Sequence, residues 1–265
     1  MTIVLPVKAK ANTQLLADRV AFVTAAGSGI GRAGAIALAQ CGAHVVVTDL
    51  DGKLAAEVAA EIVSEGHKAT SKQLDVTDDD ALKTAIDNTI TRFGRLDILH
   101  SHAGIQIEGT LEQVSPEGMD ASWALNVRSH FMAARAVVGQ MKKQGGGSII
   151  ITSSNSGVQF DREMIAYATT KHAVVAMTRQ MATDYAKHNI RFNTLCPGFV
   201  DTPFNAGFEV QMGGRPALED YIKQNIPMGR WATVDEISDA IVFLASDMSS
   251  FMTGHALVVD GGECI

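Results

Sequence analysis

Ser154, Tyr167 and Lys171 place a hydroxyl, a phenol and an ammonium within residues 154–171. Tyr167 and Lys171 stand four apart in an alanine- and methionine-rich run that follows Met164, and on a helix such a pair projects from one face. The ammonium then acts on the phenol. A free phenol loses its proton near pKa ~10, but a cation within hydrogen-bonding range favours the phenolate and suits Tyr167 to acid–base work at neutral pH. Ser154 is placed to hold a substrate oxygen. The bland alternative is a pair of surface neighbours on a solvated helix, so the surrounding elements must decide.

The chain bounds those elements. Its 265 residues, 46% hydrophobic and 19% charged, suit one large α/β domain. A net charge of −7 opposes a polyanion-binding surface, and no basic run carries interleaved aromatics, so nucleic acid is not an expected partner. Cys41, Cys196 and Cys264 are widely separated and lack metal-ligand spacing, which predicts a reducing compartment, no disulfide framework and no metal. The opening Met-Thr-Ile-Val-Leu-Pro-Val run is too short for a signal-peptide core, and no apolar run reaches membrane-spanning length. A cytoplasmic protein without a membrane anchor is expected.

Residues 1–18 show no clear period and read as an N-terminal arm; 19–265 read as a single domain without linker or repeat. Residues 20–24 form a short apolar run suited to a strand buried on both faces. The chain then turns into glycine, with Gly29, Gly31 and Gly34 matching G-x-G-x-x-G ahead of an alanine-rich helix. Glycine lets the backbone turn sharply and approach a ligand, while the new helix offers free N–H groups to a pyrophosphate. The next strand, 44–49, ends in Asp49, about twenty residues on, where a ribose-binding acid is expected. Asp49 as a simple cap for the helix near Gly52 is the alternative.

The same alternation continues to the end of the chain. A third strand over 69–76 would end near Asp75, beside an adenine, and a helix over 79–93 leads to a fourth strand and the turn Ala103-Gly104. Beyond Pro116 a long helix carries Asn126 as its polar exception, and a fifth strand, 148–154, delivers Ser154 at its carboxyl end. A sixth strand (190–197), an aperiodic covering segment (198–230), a helix (234–245) and a last strand (256–260) complete a doubly wound parallel sheet with helices on both faces.

From Arg19 to Gly262 these residues resemble the short-chain dehydrogenase/reductase family. The motifs fall in order: the Thr24 to Gly31 turn, Asp75-Val76, Ala103-Gly104, Asn126, Ser154, Tyr167-x-x-x-Lys171, Pro197-Gly198 with Thr202, and Val259-Asp-Gly-Gly262. The resemblance implies a Rossmann-type fold and a catalytic tetrad of Asn126, Ser154, Tyr167 and Lys171. It also implies that a dinucleotide is held by Gly27, Ser28, Gly29, Ile30 and Gly31, by Asp49, Asp75 and Val76, by Ala103 and Gly104, by Tyr167 and Lys171, and by Pro197, Gly198, Val200 and Thr202. Within that scheme Tyr167 is the general base, Lys171 lowers its pKa and holds a ribose, Asn126 holds a water leading to Lys171, and Thr202 binds the carboxamide. The cofactor expected is NAD, because Asp49 would repel a 2′-phosphate and no basic residue stands at Ser28, Leu50 or Asp51. Two departures stand out. Ala25 replaces a usual glycine, which predicts an ordinary negative φ there. Ser101-His102 replaces a usual asparagine pair, which leaves His102, like His100, as either a titratable group or, the favoured reading, a hydrogen-bonded structural one.

The reaction implied is hydride transfer between a secondary alcohol and its ketone. Asn155, Gln159, Asp161, Arg162, Glu209 and Arg215 favour a sugar or polyol, while Phe160, Phe204, Phe208, Met212 and Trp231 leave apolar substrates open. An NADPH-dependent 3-oxoacyl thioester reductase and a non-catalytic dinucleotide sensor are the alternatives. The helices after Pro116 and Met164 carry Trp123, Phe131, Ala173, Ala176 and Met177 on more than one face, which predicts a homotetramer.

Overall fold

The structure is a computed structural model that describes residues 14–265. Seven strands, β1 (Val20–Val23), β2 (His44–Asp49), β3 (Lys68–Gln73), β4 (Ile98–Ser101), β5 (Gly147–Thr152), β6 (Ile190–Pro197) and β7 (Ala256–Val259), form one sheet. All neighbours pair in parallel, in the order β3-β2-β1-β4-β5-β6-β7. The chain runs outward from β1 to the β3 edge and returns to β4 on the other side of β1. At that switch point the carboxyl ends of β1 and β4 splay towards different helices and leave a crevice.

Strand alternation sorts the core into two layers. Ala21 and Val23 face α1 (Gly29–Gln40), α2 (Gly52–Ser64) and α9 (Val234–Ala245), packing against Leu38, Ile62 and Ile241. Val20 and Phe22 face α3 (Asp79–Phe93), α5 (Ser129–Gln144) and α6 (Ile165–Tyr185), packing against Ile86, Val137 and Val174. Helix ends are set by local chemistry. Asp78 caps α3 and left-handed Gly94 stops it, while Thr233 and Glu236 close a reciprocal capping box on α9.

Three elements differ from the sequence expectation. β3 stops at Gln73, and its largely exposed Lys-Ala-Thr-Ser-Lys-Gln sequence is that of an edge strand, which explains its poor alternation. The helix beyond Pro116 is not uniform: α4 (Pro116–Trp123) passes through a π-helical turn, Ala124–Arg128, into α5. The covering segment, expected to be aperiodic, contains α7 (Ala206–Gln211) and α8 (Arg215–Asn225). Leu218, Ile222 and Ile226 of that segment bury one short stripe under it.

Most of the expected N-terminal arm, residues 1–13, lies outside the described residues. Leu16, near its end, is buried in the core and its N–H donates to the Cys41 carbonyl at 2.8 Å. Among the described residues no helix is long and apolar enough to cross a membrane, and no cluster of His, Cys, Asp or Glu has metal-binding geometry.

Candidate active site

The crevice opens at the carboxyl ends of the strands as a cleft of roughly 270 Å³. One wall is the glycine turn. Gly29 has φ +52°, and a Cβ on Gly31 would lie 2.1 Å from the Ala25 carbonyl oxygen, so the turn and α1 are in contact where only glycine fits. Ala25 itself has φ +50°, which corrects the expected negative value. The chain must reverse immediately after β1 to lay its carbonyl against Gly31, and that geometry overrides a left-handed cost of about 1 kcal/mol for an alanine. Ser28 precedes α1 without a side-chain capping bond, and no acid occupies the first turn. The leading N–H groups and the positive end of the helix dipole are thus left for an anionic ligand.

Asp49 ends β2 and lines the cleft. Its Oδ2 accepts from the Gly27 N–H at 2.8 Å and its Oδ1 from the Asp51 N–H at 3.0 Å. Asp51, not Asp49, caps α2, by accepting from the Lys53 and Leu54 N–H groups. The capping alternative for Asp49 is therefore removed. A carboxylate beside the turn, free helix N–H groups and glycines that leave room for a close backbone approach together fit the ribose and pyrophosphate of a dinucleotide.

On the other wall, α6 presents Tyr167 and Lys171 on one face, and Ser154 stands two residues beyond β5. The Lys171 ammonium lies 5.4 Å from the Tyr167 ring centroid and donates to the Thr152 carbonyl at 3.1 Å. Burial pushes the Tyr167 phenol up to about 12, partly offset by the adjoining Ser154 hydroxyl, which here donates to Asn155 Oδ1 at 2.9 Å. Burial also pulls the Lys171 ammonium down to about 8. Each group is charged only at a desolvation cost that an opposite charge would offset. Ser153 is a different kind of serine, since its hydroxyl donates to the Lys171 backbone carbonyl at 2.9 Å and pins β5 to α6.

Asn126 sits in the π-helical turn, wholly buried. Its amide exchanges bonds with the Ile105 backbone at 2.8 and 2.9 Å and donates to Thr170 Oγ1 at 3.0 Å. Both side-chain N–H groups are occupied, one on the loop after β4 and one on Thr170. His100 and His102 converge on Thr152 Oγ1, each at 3.0 Å. Burial holds His100 well below its ordinary value and His102 at about 4, with Lys171 adding to the latter. Both are neutral, hydrogen-bonded imidazoles at physiological pH.

The cleft brings together Ser28, Gly29, Ile30, Asp49 and Gly104 on one side, and Ser154, Tyr167 and Lys171 on the other, with Pro197, Gly198, Val200 and Thr202 across its floor. Gly27 and Gly31 shape the turn behind that surface. Asp75, Val76 and Ala103 are not among the lining residues: the Asp75 carboxylate accepts from the Thr77 N–H and hydroxyl, and the Ala103 N–H donates to Thr24 Oγ1. Of the substrate candidates, Asn155, Asp161, Phe204 and Phe208 line the cleft. Arg215 instead pairs with Asp201, Glu209 and Glu219 and stacks on Trp231. Sequence reasoning missed Tyr221 and Glu263, which also line the cleft. The available signal for Glu263 was its place just after β7, at the same carboxyl edge as Ser154.

Comparisons with known proteins agree with this geometry. A short-chain dehydrogenase family model described as enoyl-(acyl carrier protein) reductase matches residues 24–263. The chain is 37% identical over 254 residues to a trans-4-hydroxycyclohexanecarboxylate dehydrogenase of Sinomonas cyclohexanicum, covering 94% of this chain and 93% of that one. It is 34% identical to a 3-oxoacyl-(acyl-carrier-protein) reductase of Thermotoga maritima, covering 94% and 99%. A crystal structure of a gluconate 5-dehydrogenase from Burkholderia cenocepacia, in complex with NADP and tartrate, superposes with a TM-score of 0.89 at 35% identity, covering 96% and 98%.

Proposed function

The chain belongs to the short-chain dehydrogenase/reductase family, and from that premise we propose that it is an NAD(H)-dependent dehydrogenase interconverting a secondary alcohol and its ketone. The observation that carries this reading is the buried Tyr167–Lys171 pair beside Ser154 on one wall of a cleft whose other wall fits a dinucleotide. A bound oxidised nicotinamide supplies a hydride acceptor and a positive charge. In alcohol oxidation the carbinol C–H leaves as hydride while the O–H proton passes to the Tyr167 phenolate oxygen, and the C–O bond becomes a carbonyl. Ser154 donates a hydrogen bond to that oxygen throughout. Lys171 supplies the charge that makes the phenolate affordable in a buried site. Asn126 holds the 105 loop, and Thr202 closes the floor against Gly29. In reduction the same groups run in reverse, with Tyr167 as the acid.

Asp49 supports NAD over NADP, because a ribose diol donates to its carboxylate and a 2′-phosphate is repelled by it. The 3-oxoacyl thioester reductase alternative draws on the Thermotoga maritima relative, and Asp49 counts against its usual NADPH. The Ser154, Tyr167 and Lys171 set counts against a mere sensor. The oxidised ring of the Sinomonas relative's substrate and the Asn155 and Asp161 side chains in the cleft support a cyclic or polyhydroxylated alcohol. The test is NADH absorbance with a panel of secondary alcohols and sugars and each cofactor. Turnover with NAD is expected, and Tyr167→Phe should remove most of kcat while NADH binding, read by fluorescence, stays within a few fold. Binding without turnover across the panel, or near-normal kcat in Tyr167→Phe, would sink the assignment.

A further inference from the structure

Beyond Ser154 the cleft becomes acidic and aromatic. Asp161 and Glu263 line it together with Phe199, Phe204, Phe208 and Tyr221. Asp161 Oδ2 accepts from the Ser156 hydroxyl at 2.6 Å, Asp161 Oδ1 from Gln159 Nε2 at 3.4 Å, and Glu263 Oε2 from Asn155 Nδ2 at 2.9 Å. Asn155 and Ser156 are consecutive, so the two carboxylates converge on one short turn. Asp161 also acts electrostatically on Tyr167, which places the acidic wall within range of the reacting oxygen.

Neither carboxylate forms an ion pair among the described residues. Lys171 and His102 are the basic side chains lining the cleft; the first is engaged with Thr152 and the second is neutral. Burial, with Asp161 and Asp260 adding, pushes the Glu263 carboxyl up to about 7, and only the Asn155 bond pulls it down. Burial pushes Tyr221 and Cys264 up, with Glu263 and Asp161 adding to both and Asp260 to Cys264. The charged groups acting on Glu263, Asp161 and Asp260, are thus both acids, and neither is a counter-charge. The neighbouring rings do not supply one, but their negative faces attract a cation.

We propose that the cleft selects an alcohol or ketone bearing a protonated amine, with Asp161 and Glu263 as its counter-charges and the aromatic rings as its walls. The inference rests on the dehydrogenase reading above and narrows it. A polyol could donate hydroxyls to the same carboxylates, but it would leave their charge uncompensated. An anionic hydroxy acid would add a third negative charge.

Three ring alcohols sharing one oxidisable carbinol separate these cases: trans-4-aminocyclohexanol, trans-1,4-cyclohexanediol and trans-4-hydroxycyclohexanecarboxylate. With NAD at about pH 8, kcat/KM is expected to fall at least tenfold from amine to diol and again from diol to carboxylate. The Glu263 carboxyl is raised, so its charge is present above about pH 7 and lost below it. The amine's advantage over the diol should shrink accordingly as pH falls through that value. Glu263→Gln, and independently Asp161→Asn, should lower the amine-to-diol ratio at least tenfold, with circular dichroism confirming the fold of each variant. A preference for diol or carboxylate, or a ratio indifferent to pH and to both substitutions, would overturn the proposal. Calorimetric binding of the same three compounds needs no turnover, so charge selection is decided even if none is oxidised. That last result would count against the dehydrogenase reading alone.

Discussion

Replacing Lys171 by methionine removes a charge while nearly keeping the side chain's length and apolar stem, so it isolates the electrostatic part of the pair. The ammonium lies 5.4 Å from the centre of the Tyr167 ring. At an effective dielectric near 20, two unit charges at that separation interact by ~3 kcal/mol, which corresponds to ~2 pKa units on the phenol. The sign follows directly. The cation stabilises the phenolate, so losing it raises the pKa of a phenol that burial already pushes up to about 12. Oxidation needs the phenolate, and the rising limb of kcat/KM against pH should therefore move upward by ~2 units. At any fixed pH on that limb the rate should fall ~100-fold. The phenolate in turn holds the lysine proton that burial loosens to about 8, so the wild-type limb belongs to the pair. The assay is NADH production from a secondary alcohol between about pH 6 and 11, with cofactor affinity measured in parallel. A limb that stays in place while NADH still binds would refute the electrostatic role of Lys171.

Three further expectations follow from separate features. Asp49→Ala should narrow the NAD-over-NADP ratio of kcat/KM at least tenfold, mainly through better use of NADP: at ~4 Å a carboxylate–phosphate charge pair costs ~4 kcal/mol before salt and rearrangement soften it. An unchanged ratio would reduce Asp49 to a support for the Gly27 N–H. Ala25→Gly should stabilise the protein by ~0.5–1 kcal/mol, seen as a higher urea midpoint at constant slope, because alanine there holds φ +50°; a lower midpoint would show that unfolded-chain entropy outweighs the strain. Light scattering at micromolar concentration should return a tetramer, since Trp123 (47% exposed) and Phe131 (44% exposed) lie on the outward side of α4 and α5; a monomer would contradict it.

Much of the sheet was legible because a parallel strand covered on both faces is a short apolar run with turn chemistry after it. β1, β2 and β6 are of this kind. β3 was harder because an edge strand is under no such demand, and its lysines and hydroxyls are exposed or half-buried. α7 and α8 were missed for another reason. A six-residue helix has too few turns to show a period, and the stripe of Leu218, Ile222 and Ile226 packs against Phe208 from elsewhere in the covering segment and Trp231 just beyond it. Ala25 was misread because propensity speaks for the residue alone, whereas its φ is imposed by contact with Gly31, six positions on.

The site divides along the same line between local and distant causes. Tyr167 and Lys171 were readable because helical spacing alone puts them on one face. Ser154 was readable because a strand must deliver its last residues to the crevice. Asn126 stood out as a polar intruder in an apolar run, yet its bonding depends on Ile105 and Thr170, which no spacing reveals. Glu263 had only its place just after β7 as a signal, since its surroundings are assembled from 155, 161 and 221. The groups proposed for the proton transfer are thus set by short-range geometry. The groups proposed to choose the substrate, Asp161 and Glu263, are set by where the turn after Ser154 and the chain end settle. Specificity should accordingly be altered at 161 and 263 with little movement of the Tyr167–Lys171 pair, and it is the charge of that wall, not the tetrad, that a substrate panel reads.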